Sequence, residues 1–253
     1  MRRRNEIALH AIVAGAVLLT MACGGPKRTT SATSNQENVD RVTLAYQAYA
    51  EGDCNAVRNG IATNGVRSWK PSEMRYAYHL LDGFCAELAA NFDQARRIYR
   101  TILQEAPLSF AADDAGERLR ILRLSEIETD YARTLESARQ QARTGSTRRE
   151  ALERERVSYP PFAHRAGISG HAIVEFKVTA DGLTETPIVV DSSPPLIFDG
   201  AAIRAIRSWR YATDSNNADI DRQAIRLLFR PEDSAPAPMT DPDGSVGAPT
   251  GDG

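Results

Sequence analysis

The chain has 253 residues, with 31 basic side chains against 33 acidic ones and a net charge of −2. So even a balance excludes broad electrostatic attraction to nucleic acid or to an anionic lipid surface as the basis of function. The length is enough for a pair of small folded domains joined by connecting segments.

At the amino end, Arg2-Arg3-Arg4 precede an apolar run from Ile7 to Ala22 that contains His10, and small residues and Cys23 follow. This is the layout of an export signal, so residues 1–22 are expected to act as a signal peptide or as an uncleaved anchor. The Ala22-Cys23-Gly24 junction resembles a bacterial lipoprotein cleavage site, which implies lipid attachment at Cys23. Thr20 stands where that pattern has Leu, and Leu19 comes one residue early. Gly24, in place of Asp, implies sorting of such a lipoprotein to the outer membrane. Residues 23–38, rich in Gly, Ser, Thr and Gln, are expected to form a disordered tether.

Residues 39–124 read as stacked helical hairpins. Phe92, Ala95, Tyr99, Ile102 and Pro107 have a spacing that resembles the second helix of a tetratricopeptide repeat, and Gly83 sits where the first helix of that repeat needs a small residue. Leu44, Ala45, Tyr49 and Glu51-Gly52-Asp53 suggest a preceding degenerate unit, although Asn64-Gly65 and Lys70-Pro71 break the register. Such repeats bury a shared core and leave a groove for a partner peptide, the alternative being a plain helical spacer. Cys54 and Cys85 are an even pair in an exported chain. They are a possible disulfide, the alternative being buried thiols. A helix is expected through much of Asp113 to Arg156, with Leu119, Leu122, Ile127 and Tyr131 packing its first half. Residues 125–156, rich in Arg and Glu and broken at Thr144-Gly145-Ser146, are expected to be a solvated helical connector.

From residue 157 the pattern changes. Ala172, Val174, Phe176 and Val178 alternate with His171, Ile173, Glu175 and Lys177, the period of a half-buried strand. Asp181-Gly182 supplies a hairpin turn, and Thr186 to Val190 is the returning strand, stopped by Ser192-Ser193-Pro194-Pro195. Phe198, Ala201, Ala202, Ala205, Ile206 and Trp209 then fall on one helical face, with Arg204, Arg207 and Arg210 on the other. Arg222 to Phe229 returns to alternation as a third strand, at an edge. Ile225, Leu227 and Phe229 point one way and Ala224, Arg226 and Leu228 the other.

The series Tyr159-Pro160, Ala163, Ala166-Gly167, Gly170, Phe176-Lys177-Val178, Asp181-Gly182, Ser192-Ser193-Pro194, Phe198-Asp199, Ala201-Ala202, Ala205-Ile206 and Trp209-Arg210-Tyr211 closely resembles the TonB carboxy-terminal-domain family. The resemblance covers residues 157–232. For that part it implies a small domain with a three-stranded antiparallel sheet and two helices; with the helical hairpins ahead of it, the expected fold of the chain is α+β, an amino-terminal all-α region followed by this domain. It departs from the family at Ala212-Thr213 and Asn216-Asn217, where the family has a Pro and later a Gly, so the loop before the last strand is expected to differ in shape. Such domains pair a short extended peptide from an outer-membrane transporter with a sheet edge. This implies partner binding at Arg222, Gln223, Ala224, Arg226 and Leu228. The arginines would suit an acidic or polar segment, or simply keep the edge soluble. TonB proteins also carry an amino-terminal helix whose His couples to a proton-driven motor, and His10-Ala11-Ile12-Val13-Ala14-Gly15 superficially resembles it, with Glu6 where Ser is expected. The lipoprotein reading ranks above that anchor, because the apolar stretch is at the short limit for a span of about 30 Å.

Residues 233–253, dominated by Pro, Asp, Gly, Ser and Ala, are expected to be a disordered tail. No phosphate loop, Ser nucleophile elbow or metal-ligand Cys cluster is present, so no enzyme activity, cofactor or metal is expected. His164 and His171 flank a predicted turn, but they lack a nearby third ligand. The expectation is a periplasm-facing, TonB-like envelope protein that binds transporter segments and supports their transport, or alternatively a lipid-anchored adaptor or assembly factor without energy transduction.

Overall fold

Helix-breaking residues decide where the first element begins: Gly24, Gly25 and Pro26 precede a run from Thr30 to Ala50 that contains neither Gly nor Pro. In the structure, a computed structural model that describes residues 30–127, 136, 140, 151–213 and 223–233, helix α1 spans Thr30–Ala50. It therefore takes in residues 30–38, expected to be irregular tether. Gln36 donates to Asp40 at 2.9 Å, and Arg41 lies 3.8 Å from Glu37, each pair one turn apart.

Three further helices start at side-chain caps. Asp53 accepts from the Ala56 N–H to open α2 (Cys54–Thr63), Ser72 from Arg75 to open α3 (Glu73–Leu88), and Asn91 from Gln94 to open α4 (Phe92–Glu105). A 3-10 turn, Val66–Ser68, links α2 to α3, and α5 spans Phe110–Ile127. A disulfide joins Cys54 on α2 to Cys85 on α3, with the two Cα atoms 5.5 Å apart.

The connector does not continue as a helix to Arg156. Glu136 and Gln140 are helical, but Ala151–Glu153 is a strand, β1, paired antiparallel with β4 (Arg210–Tyr211). Trp209 explains this reversal, since its indole N–H donates to the Glu155 carbonyl at 3.2 Å and Arg154 lies 5.1 Å above its ring. A charged segment with no wide apolar face has little to hold it helical against such a tertiary partner.

The carboxy-terminal unit has helix α6 (Pro161–Arg165), strands β2 (Gly170–Val178) and β3 (Thr184–Ser193), helix α7 (Asp199–Ser208) and strand β5 (Gln223–Phe229). A 3-10 turn, Pro231–Asp233, follows. The fold is α+β: amino-terminal helices, then a three-stranded antiparallel sheet in the order β3-β2-β5, with helices against it. Strand β3 is longer at both ends than the apolar run Thr186–Val190, and its pairing with β2 shifts register beside Val174 and again beyond Glu175.

One core runs through both units. Tyr46 of α1 stacks on Phe162 of α6 at 5.9 Å, and the Tyr49 hydroxyl donates to the Pro195 carbonyl at 3.1 Å. Phe198 stacks on Phe229 at 4.2 Å, with Tyr159 edge-on to both. Around this core, ion pairs tie α7 to the helices: buried Arg118 of α5 bonds both Glu87 of α3 and Asp199 of α7, half-buried Arg204 lies 2.7 Å from buried Asp114, and exposed Arg207 pairs with Glu117.

Candidate peptide-binding edge

Strand β5 is placed by its alternation. Leu227 and Phe229 are buried, and Ile225 packs on the same core, so the other parity must look away from it. Ala224, Arg226 and Leu228 share that outward face, with Arg226 exposed and Leu228 57% exposed. Gln223 does not join them. It has the parity of Ile225 and is 3% exposed, opposite Phe176. As a residue of the expected edge strand it can serve a partner through its main chain, its side chain being turned inward. Arg222 and Cys23 lie outside the described residues, as does the apolar run Ile7 to Ala22. Among the described residues, no helix is long and apolar enough to cross a membrane.

The strand register sets the neighbours of this face. Leu228 lies opposite His171, Arg226 opposite Ile173, and Ala224 opposite Glu175. Across β2, His171 is 3.0 Å from the Asp191 carboxylate of β3, and Glu175 is fully buried opposite Ile188. Sequence reasoning did not include His171, Ile173 and Asp191 in the candidate site. The alternation along β2, combined with the Asp181-Gly182 hairpin, was the available signal for the first two. The register shift beside Val174, which a sequence does not show, brings in Asp191. His164 does not meet His171; its ring nitrogen lies 3.0 Å from the Pro231 carbonyl. Among the described residues, no group of three or more His, Cys, Asp or Glu is placed to hold a metal ion.

The two sheet edges differ. Strand β3 carries Pro187, which lacks an N–H, and its carbonyl accepts from the Arg120 guanidinium of α5 at 3.3 Å. Helix α7 packs along the same strand. On the other side β5 pairs with β2 alone among the described residues, so every second N–H and C=O along Gln223–Phe229 faces outward. Arg226 and Leu228 flank that row with a cation and an apolar side chain. The chemical capacity of this edge is main-chain hydrogen bonding to an extended segment.

Comparison with known proteins agrees with this part of the chain. Residues 155–231 match the family model described as the Gram-negative bacterial TonB protein C-terminal. The Protein TonB of Pseudomonas aeruginosa is 33% identical over 72 residues, which are 28% of this chain and 21% of that protein. This chain thus spans about a fifth of the length of the curated relative it matches. Two solved structures, the Pseudomonas aeruginosa TonB carboxy-terminal domain and the TonB2 protein of Vibrio anguillarum, are each 26% identical with a TM-score of 0.28. Each covers 34% of this chain, and 87% and 85% of the respective solved chains are matched. The carboxy-terminal unit, residues 155–231, is the part of this protein that is similar to the TonB C-terminal family.

Proposed function

We propose that this protein is a TonB-like component of the bacterial cell envelope that faces the periplasm. Its carboxy-terminal unit captures an extended periplasmic segment of an outer-membrane transporter by adding it as a strand beside β5, and so supports TonB-dependent transport. The observation that carries this reading is the contrast of edges: among the described residues β5 leaves a row of main-chain groups open, whereas β3 is engaged at Pro187 and along α7. Main-chain pairing supplies affinity, and Ala224, Arg226 and Leu228 supply choice of partner. The match of residues 155–231 to the TonB C-terminal family supports the same reading. The α3–α4 hairpin, which resembles a tetratricopeptide unit, is assigned the role of scaffold.

A second reading is a lipid-anchored adaptor, attached through Cys23, that binds partners without transducing energy. The shared core and the ion pairs favour it, because they hold the edge on the helical unit as on a fixed platform. Mass spectrometry of the mature amino terminus from separated membranes distinguishes the two. Acylated Cys23 in the outer membrane selects the adaptor. An intact terminus in the inner membrane selects transduction and makes His10 the residue to mutate.

Capture itself is tested by disulfide cross-linking in the native host. Cysteines are placed along the periplasmic amino-terminal segment of a TonB-dependent transporter and, in this chain, by Arg226→Cys and Leu228→Cys. Cross-links are expected from both positions and not from Leu152→Cys, which is 71% exposed on β1. Equal yields from all three positions would reject strand addition at β5.

A further inference from the structure

On the helical unit, well apart in sequence from β5, two cavities of about 550 and 320 Å³ open along α2, the Val66–Ser68 turn, α3 and α4, and they share Arg67 and Asp82. They adjoin at these shared side chains, as two parts of one cleft. Arg58 and Arg67 belong to the first cavity, and Arg67, Arg75 and Arg97 to the second, so four guanidinium groups face two carboxylates, Asp82 and Glu105. In a chain with net charge −2, such local excess is a property of the fold and not of composition.

Both carboxylates are already engaged. Arg58 lies 3.7 Å from Asp82; Glu105 receives the Arg75 guanidinium at 3.4 Å and the Tyr76 hydroxyl at 3.1 Å. Among the described residues no carboxylate forms an ion pair with Arg67 or Arg97, and both side chains are exposed. The buried Nε of Arg75 has no hydrogen-bond partner there either. The field of these groups is felt by His79, whose imidazole is held below its ordinary range by burial and then by Arg75 and Arg67.

We propose that this cleft is a second binding site, which takes an extended acidic peptide segment of a partner protein. Guanidiniums distributed over two adjoining cavities, with the half-buried Ile98 in the wall of the second, suit a chain that alternates carboxylate and apolar side chains. A compact anion would need converging donors, and here the cations are distributed over both cavities. A nucleic acid strand would need an exposed aromatic platform, whereas Tyr76 is 1% exposed and its hydroxyl is engaged. The inference stands independently of the reading of β5.

The test is fluorescence anisotropy of the purified full chain with a short fluorescein-labelled peptide of alternating Glu and Leu, and with its Gln and Leu counterpart. The acidic peptide is expected to bind and the amide peptide to bind at least about tenfold more weakly. Arg67→Gln with Arg97→Gln is expected to weaken the acidic peptide by about tenfold, the equivalent of about 1.4 kcal/mol. Arg165→Gln, at an exposed arginine of α6 outside both cavities, is expected to leave it unchanged. Neither cleft arginine makes a described contact that the fold needs, and thermal melting verifies that the variant is folded; Arg67→Gln alone serves if the pair does not fold. Absence of binding by the parent chain, equal affinity for the two peptides, or no loss in the folded variant overturns the proposal. Full displacement of the peptide by equimolar inorganic phosphate overturns it as well, by making the cleft a small-anion site.

Discussion

Two residues carry constraints that their chemistry makes unusually sharp. Gly182 adopts φ +78°, and a Cβ at that position would lie 2.1 Å from the Tyr211 carbonyl oxygen. That oxygen belongs to backbone, so little can give way. Gly182→Ala is expected to cost about 2–3 kcal/mol in urea denaturation, combining the left-handed conformation with the clash; a loss below about 0.5 kcal/mol would show that the hairpin relaxes. Asp114 illustrates the opposite situation, a charge retained in the core. Burial pushes its carboxyl up to about 6, even though the Arg204 guanidinium is 2.7 Å away. Burial also raises the Asp199 carboxyl, against the pull of Arg118. A carboxyl with a higher pKa in the folded than in the unfolded chain holds more protons when folded. Stability is therefore expected to fall as pH rises from about 4 to about 6. Urea midpoints across that window would show the decline, and Asp114→Asn should flatten part of it. An unchanged slope in the variant would remove Asp114 as its source.

Among the elements, α2 and α3 are joined covalently and β5 is the last strand of the sheet among the described residues, and the two differ in how far they could be read from the chain. The even number of cysteines left after Cys23 is a compositional observation, while the apposition of α2 with α3 depends on the turn at Val66–Ser68. Replacing both cysteines, Cys54→Ser with Cys85→Ser, is expected to lower stability by about 3–4 kcal/mol, since the bond closes a loop with a sequence separation of 31. Urea unfolding of the oxidised parent, the reduced parent and the variant measures this, and coincident curves would show that the bond adds nothing. For β5, the two-residue period was enough to sort Ile225, Leu227 and Phe229 from Ala224, Arg226 and Leu228. The same period places Gln223 on the inner side, so of the residues expected at the edge it is one that offers main chain only. The carboxy-terminal part of the connector was not legible, because Ala151–Glu153 becomes a strand only when β4 is beside it.

The whole molecule behaves as one body in which helices and sheet share a core, with Tyr46 on Phe162 and Tyr49 on Pro195 at the seam. Its two tryptophans lie one on either side, Trp69 beside α3 and Trp209 at the end of α7. In each single-tryptophan variant, Trp69→Phe and Trp209→Phe, tryptophan fluorescence and far-ultraviolet circular dichroism are expected to report the same urea midpoint, as a shared core unfolds cooperatively. Well-separated midpoints would show that the units unfold independently. Arg118 is the strongest single tie across the seam, since it faces Glu87 and Asp199, all three nearly inaccessible to water. Arg118→Ala would leave two buried carboxylates uncompensated, with an expected cost of about 3–5 kcal/mol. A loss near zero would indicate that the carboxylates simply take up protons.

The chain alone determined its elements wherever a periodic pattern could be satisfied by local burial: β2, the hairpin at Asp181-Gly182, α7 and the inward side of β5 follow from apolar residues at two- or 3.6-residue spacing. Only the tertiary structure decided that α5 and α7 exchange ion pairs, that Arg120 engages Pro187 at one sheet edge while β5 at the other pairs with β2 alone among the described residues, and that four arginines from separate segments line one cleft. The difference is physical. Apolar periodicity records which side of an element avoids water, whereas charged side chains are compatible with solvent and with a buried partner alike, and nothing local in the sequence states which partner the fold will bring to them.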